Sequence, residues 1–109
     1  LQNFDRIDAV LCVGDEMAMA AQRAAAQAGR DDIMFMGFDG ISSGVQAVID
    51  GQLTATVAQS PYNMGYQAVV NAVAAAKGEE AEARIDTGAK VIDAENAEEY
   101  LAELNAMVE

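Results

Sequence analysis

The stretch VLCVGDEMAMAAQ, residues 10–22, changes character at Gly14. On its N-terminal side the run DAVLCV, residues 8–13, is short, apolar and rich in branched side chains, the pattern of a buried strand. On its C-terminal side Met17, Ala21, Ala24 and Ala28 recur at helical spacing, so a helix is predicted there. Asp15 is suited to N-cap that helix, Glu16 favours its positive end, and Gly29 is placed to stop it. The many alanines let such a helix lie close against a sheet. The stretch therefore reads as a strand that turns into a helix.

The same unit repeats downstream. IMFMG (33–37) reads as a second strand, FDGISSG (38–44) as a turn, and Val45, Val48 and Ile49 as the inner face of a helix that Gly51 stops. LTATVA (53–58) is a third strand, rich in β-branched residues. Strands and helices alternating at this spacing imply an α/β fold with a parallel sheet and flanking helices. The rhythm then breaks at QSPYN (59–63), which holds the only proline. A helix is predicted over 62–77, with Met64, Ala68, Val69, Val73 and Ala76 on its apolar side. A charged loop, GEEAEA, and an extended segment, RIDTGAKVI, lead to a last helix in AENAEEYLAELNAM (94–107), with Tyr100, Leu101, Leu104 and Met107 facing inward.

Composition narrows the function. With 109 residues, 52% of them hydrophobic, the chain is long enough for one small core. It has no histidine and one cysteine, which removes most metal sites, histidine-based triads and disulfides. Cys12, inside a strand pattern, reads as a buried inert thiol. The net charge of −12 has no basic cluster beside it, which argues against nucleic acid as a partner. The acid is uneven: residues from Glu79 onward carry ten acidic and two basic side chains, read as a solvated helix face. No apolar run approaches a membrane span, and no basic-then-apolar leader pattern opens the chain.

In parallel sheets, ligands bind beyond the carboxyl ends of the strands. Gly14, Asp39 and Gln59 occupy those ends and are predicted to line one rim. Asp39 supplies a carboxylate acceptor, and Gln59 a donor and an acceptor. That mixture suits hydroxyl-rich ligands, because each hydroxyl both gives and takes a hydrogen bond. Asp39 is equally suited to cap the helix after it, and the two roles are compatible. Phe38 reads as core. No phosphate-binding glycine pattern occurs, and Asp39 would repel phosphate. A receiver-type phosphoacceptor site lacks its acidic pair and its later lysine, and no second titratable group faces Asp39 for acid–base work. No catalytic residue, metal or cofactor is therefore assigned.

These residues also resemble a known family. DAVLCVGDEMAMAAQRAAAQAG, IMFMGFDG, AVIDGQLTATVAQSPYNMGYQAV and AENAEEYL are similar, in order and spacing, to the C-terminal part of periplasmic sugar-binding proteins of the ribose/galactose type. These are the solute receptors of bacterial ABC importers, with two α/β lobes of the type I periplasmic binding fold joined by three crossings. The resemblance implies an incomplete lobe. Residues 1–59 correspond to C-terminal-lobe units, and 60–86 to a segment that the family places in the other lobe. Residues 87–109 correspond to a return strand and C-terminal helix. Gln59, Ser60, Asp86 and Thr87 fall at hinge positions.

Among ligand residues, Asp39 matches the family's sugar-binding aspartate in GFDG, and Gln59 the polar side chain that ends ATVAQ. Gly14 stands where the family places a sugar-binding asparagine, so the amide that helps define ribose or galactose is absent. The resemblance implies a sugar or polyol ligand, an ABC permease as partner and a periplasmic or lipid-anchored location. It also implies that the missing N-terminal part completes the site. Without that part the helix at 62–77 is expected to self-associate or to swap between chains. LacI-type regulators share the architecture, but they carry a second acid after GFD and a proline before the third strand. Gly40 and Gly51-Gln52 stand at those positions here. A flavodoxin-like or receiver-type domain is the remaining alternative.

Overall fold

The computed structural model describes residues 3–107. The outermost positions of the ranges above, 1, 2, 108 and 109, lie outside the described residues. In chain order the elements are β1 (Ala9–Leu11), α1 (Asp15–Gln27), β2 (Met34–Asp39), α2 (Ser42–Ile49), β3 (Ala55–Gln59), α3 (Pro61–Ala76), β4 (Ala89–Asp93) and α4 (Ala97–Ala106). Two compact units divide the chain, Leu1–Ala58 with Lys90–Glu109, and Gln59–Ala89.

The first unit is the α/β layer that the repeat predicts. The sheet runs in the order β1-β2-β3-β4. β1 pairs parallel with β2 (Val10 opposite Phe35), and β2 parallel with β3 (Phe38 opposite Val57). Adding β4 beside β3 makes the whole sheet mixed. β1 is shorter than the apolar run, yet its ladder reaches further. The Met34 N–H donates to Asp8 O at 3.0 Å and the Cys12 N–H to Met36 O at 2.9 Å.

Side chains alternate across a strand, and here the two faces differ sharply. Phe35, Thr56, Ala58 and Ile92 are buried, in one cluster with Ala18 and Ala25 of α1, Val45, Ala47 and Val48 of α2, and Ala97 of α4. Tyr100, Leu101 and Leu104 pack against that cluster. The opposite face presents Leu11, Val13, Met34 and Val91, each at least half exposed. Phe38 belongs to this second face and is exposed, not core as its apolar character suggested. Cys12 is only partly buried, at the edge of the core.

Two helix faces also differ from the sequence reading. α1 turns Ala18 and Ala25 inward, while Met17, Ala24 and Ala28 are exposed. The helix approaches the sheet so closely that a methyl group fills the gap and a methionine side chain is displaced to the flank. In α4, Met107 is exposed because the helix has already ended at Ala106.

The stops behave as expected. Gly29 and Gly51 take φ of 71° and 73° just past their helices. Each closes the same pair of bonds: Gly29 N–H to Ala26 O with Arg30 N–H to Ala25 O, and Gly51 N–H to Val48 O with Gln52 N–H to Ala47 O. This double closure satisfies carbonyls that the helix end would otherwise leave without donors.

The second unit consists of α3 and the extended segment that follows it. Asn63 Nδ2 donates to Thr87 O at 3.3 Å, and the Gly88 N–H to Asp86 Oδ1 at 2.9 Å. α3 starts with Pro61, whose missing N–H costs nothing at that position. It buries none of its residues, and Val69 and Val73 of its apolar side are exposed.

The two faces of β4 give a direct check on which side holds the core. Ile92→Ala should lower unfolding free energy by about 2–5 kcal/mol, since it removes a side chain with no solvent exposure. Val91→Ala, one residue earlier on the open face, should change it by less than about 0.5 kcal/mol. Urea unfolding followed by circular dichroism measures both.

Candidate functional site

The C-terminal end of β2 carries the most constrained backbone in the first unit. Asp39 pairs with Ala58 of β3 and then takes a φ of 103°. A side chain at positive φ is uncommon, and holding it costs on the order of 1–3 kcal/mol. Gly40 follows at φ 69°, and a Cβ there would overlap Cα and Cβ of Ala58. Only glycine lets the turn lie this tightly on β3. Ile41 then returns to an extended conformation and serves as N-cap of α2.

The N-cap position of α2 is Ile41 rather than Asp39. Nor does Asp15 hold that position in α1. Gly14 is the N-cap, in extended backbone, and Asp15 is the first helical residue. The Asp15 side chain instead crosses the layer. It is 1% exposed, accepts from Thr56 Oγ1 at 2.5 Å through Oδ1, and accepts from the Ile41 N–H at 2.9 Å through Oδ2. Burying a carboxylate costs several kcal/mol unless its oxygens are hydrogen-bonded, as both are here. Its position in the first turn of α1 adds the favourable field of the helix N-terminus.

Space for this carboxylate comes from two glycines. A Cβ on Gly37 of β2 would overlap Asp15 Oδ1, and one on Gly44 of α2 would overlap its Cβ, Cγ and Oδ2. Asp15 thus joins the start of α1 to β2, to the turn before α2 and to β3.

Two of the three expected rim residues come together. A Cβ built on Gly14 would meet Asp39 Oδ2 at 3.8 Å and nothing closer, so the Asp39 carboxylate lies beside a position that has room for a side chain. Gln59 closes β3, one residue after Ala58, and is the first residue of the second unit. Ser60 is the N-cap position of α3 without a side-chain cap bond. The backbone carbonyl of Thr87 and the side chain of Asp86 are engaged within the second unit.

Sequence reading missed the pair of Asp15 and Thr56. The signal was available in LTATVA, where alternation turns Thr56 to the same side as Ala58. A hydroxyl turned into a core requires a partner. On α4, the Tyr100 phenol is raised above its usual range, first by burial and then by the charges of Glu103 and Asp15. Among the described residues, no group of three or more histidine, cysteine, aspartate or glutamate side chains is placed to hold a metal ion. No helix among them is long and apolar enough to cross a membrane.

The periplasmic binding protein domain family matches residues 1–80. The ribose import binding protein of Escherichia coli is 42% identical over 86 residues, which are 79% of this chain and 29% of that protein. An ABC transporter solute binding protein from Mycobacterium smegmatis with bound glycerol superposes with a TM-score of 0.84 at 31% identity, covering 93% of this chain and 35% of that one. A solute binding protein from Bacillus halodurans with bound myo-inositol gives a TM-score of 0.79 at 37% identity, covering 90% of this chain and 34% of that one. The chain therefore spans about a third of the length of these relatives.

The glycine cradle is open to test by stability alone. Gly44→Ala should destabilise the chain by about 1–3 kcal/mol, because the added methyl group meets the buried carboxylate. Gly65→Ala, inside α3 with nothing within 4 Å of its Cβ, should stabilise it by roughly 0.5–1 kcal/mol. Denaturant titration of the two variants separates a packing effect from a general helix effect.

Proposed function

The chain belongs to the periplasmic binding protein domain family, and from that premise we propose that it forms part of a solute receptor for a bacterial ABC uptake system, holding a sugar or polyol. The observation that carries the proposal is the Asp39 carboxylate, set at the end of a parallel strand beside the side-chain-free Gly14. Relatives that bind ribose, allose and myo-inositol support a ligand of many hydroxyls.

No bond is made or broken in this function. Asp39 accepts hydrogen bonds from ligand hydroxyls, and Gln59 both donates and accepts. Charge-assisted bonds of this kind reward a hydroxyl-rich solute and reject an anionic one. Gly14 contributes no amide, so the site favours a bulkier polyol, or a water in place of the missing group.

The rest of the receptor's cycle needs a second wall. Residues 60–86 act as the segment that joins the other lobe, and Gln59, Ser60, Asp86 and Thr87 act as hinge positions. Closure over the ligand then presents one shape to the permease. The working location is the periplasm, or the outer face of the membrane through a lipid anchor. The exposed apolar side of α3 is the surface on which the rest of that lobe docks, and in the 109-residue chain by itself a second copy is expected to cover it by association or helix exchange.

Amide resonances of the 109-residue chain, followed during titration with myo-inositol, D-ribose and D-allose, test the proposal. Shifts confined to the surroundings of Gly14, Asp39, Gly40 and Gln59 are expected, with affinity too weak to saturate below the millimolar range, and Asp39→Asn should remove them. Gly14→Asn, which restores an amide, should strengthen D-ribose binding about tenfold, the worth of one added hydrogen bond. Shifts that survive Asp39→Asn would remove Asp39 from the site. Micromolar affinity in calorimetry would show that no second wall is needed.

A further inference from the structure

An aspartate holds a φ of 103° only where its surroundings over-determine the backbone. Several restraints act on the turn of Asp39, Gly40 and Ile41. The ladder to β3 fixes Asp39 opposite Ala58. Gly40 rests against Ala58, with no space for a side chain between them. On the downstream side the Ile41 N–H donates to Asp15 Oδ2 at 2.9 Å, and the Ile41 carbonyl accepts from the Val45 N–H at 2.9 Å as α2 begins. Without the first of these bonds the exit of the turn loses its tie to Asp15 and keeps the one to α2.

Asp15 is itself immobilised. Thr56 Oγ1 donates to its other oxygen at 2.5 Å, and Thr56 lies on β3, two residues before the Ala58 that supports Gly40. The backbone at Gly37 and Gly44 closes around the carboxylate on two further sides. The same strand therefore supports the turn directly through Ala58 and indirectly through Thr56 and Asp15. A residue that only filled space here would need no oxygen aimed at Ile41.

We propose that Asp15 is a positioning residue for ligand binding: its buried carboxylate, locked by Thr56, holds the exit of the turn, keeps Asp39 in its left-handed conformation and so fixes where the Asp39 carboxylate is presented. Asp15 does not touch the ligand. The ligand part of this proposal rests on the reading of Asp39 as a sugar- or polyol-binding group.

The experiment compares Asp15→Ala, Asp15→Asn and Thr56→Val in the 109-residue chain. Three readouts are the three-bond amide coupling of Asp39, which reports its φ, the exchange rate of the Ile41 amide against those of Val45 and Val48, and the myo-inositol-dependent shift of Gly40. In Asp15→Ala the Ile41 amide should exchange about 100-fold faster relative to the two core amides. The Asp39 coupling should move toward a conformational average, and the inositol response should fall about tenfold. Asp15→Asn keeps an oxygen for Ile41 and can donate to Thr56 Oγ1, so it should restore all three to within about threefold. An Asp15→Ala chain with the parental coupling and exchange would overturn the proposal.

Should Asp15→Ala fail to fold, Thr56→Val keeps the test decisive. It releases one side of the carboxylate, and Ile41 exchange about tenfold faster is expected. Unchanged exchange would overturn the proposal in the same way. Asp39→Asn separates the two ideas: if it leaves the inositol response intact, the ligand reading of Asp39 fails, while coupling and exchange still decide whether Asp15 holds the turn.

Discussion

The carboxylate of Asp15 is the point at which the first unit is tied together. One oxygen takes the hydroxyl of Thr56 on β3, and the other takes the backbone of Ile41 before α2. Its own backbone begins α1, and its walls are Gly37 on β2 and Gly44 on α2. The turn that presents Asp39 is held by β3 through Ala58 and by this group through Ile41. The turn after β2 needs a downstream anchor, the glycines must stay bare to leave room for it, and a threonine must interrupt an otherwise apolar strand face. A small domain has few ways to hold an aspartate at positive φ, and here a second aspartate supplies one.

The architecture follows from the same economy of side chains. α1 comes down on the sheet through Ala18 and Ala25, which bring little more than a methyl group each. That closeness is what lets a side chain as short as aspartate reach both β3 and the turn before α2. A helix held further off by leucines would leave the carboxylate short of its partners. On the other face of the sheet Leu11, Val13, Met34 and Val91 stand exposed.

Much of this was legible in the residues themselves. Strand-helix rhythm, the parallel pairing of β1, β2 and β3, and the glycine stops at 29 and 51 follow from apolar period and backbone chemistry. The helix faces were less legible. In α1, alanine at most positions flattens the hydrophobic period, so Met17 drew the predicted face toward itself, whereas close packing excludes it. Phe38 reads as core rather than as a stacking platform, yet strand alternation turns it to the open face. Asp15 looked like a cap because local signals favour one. Its true partners are 26 and 41 residues away, and no local pattern reports a bond of that range. The meeting of Gly14 with the Asp39 carboxylate was foreseeable from topology, since ends of adjacent parallel strands share a rim.

In the proposed receptor a buried aspartate aims an exposed one at a hydroxyl-rich solute. A crystal structure of the chain grown in saturating myo-inositol tests it most directly. A ring hydroxyl is expected about 2.6–2.8 Å from an Asp39 carboxylate oxygen, with Asp39 still at positive φ and the Ile41 amide still on Asp15. Inositol bound away from Asp39, or bound to it with the Asp15 bond to Ile41 broken, would contradict it.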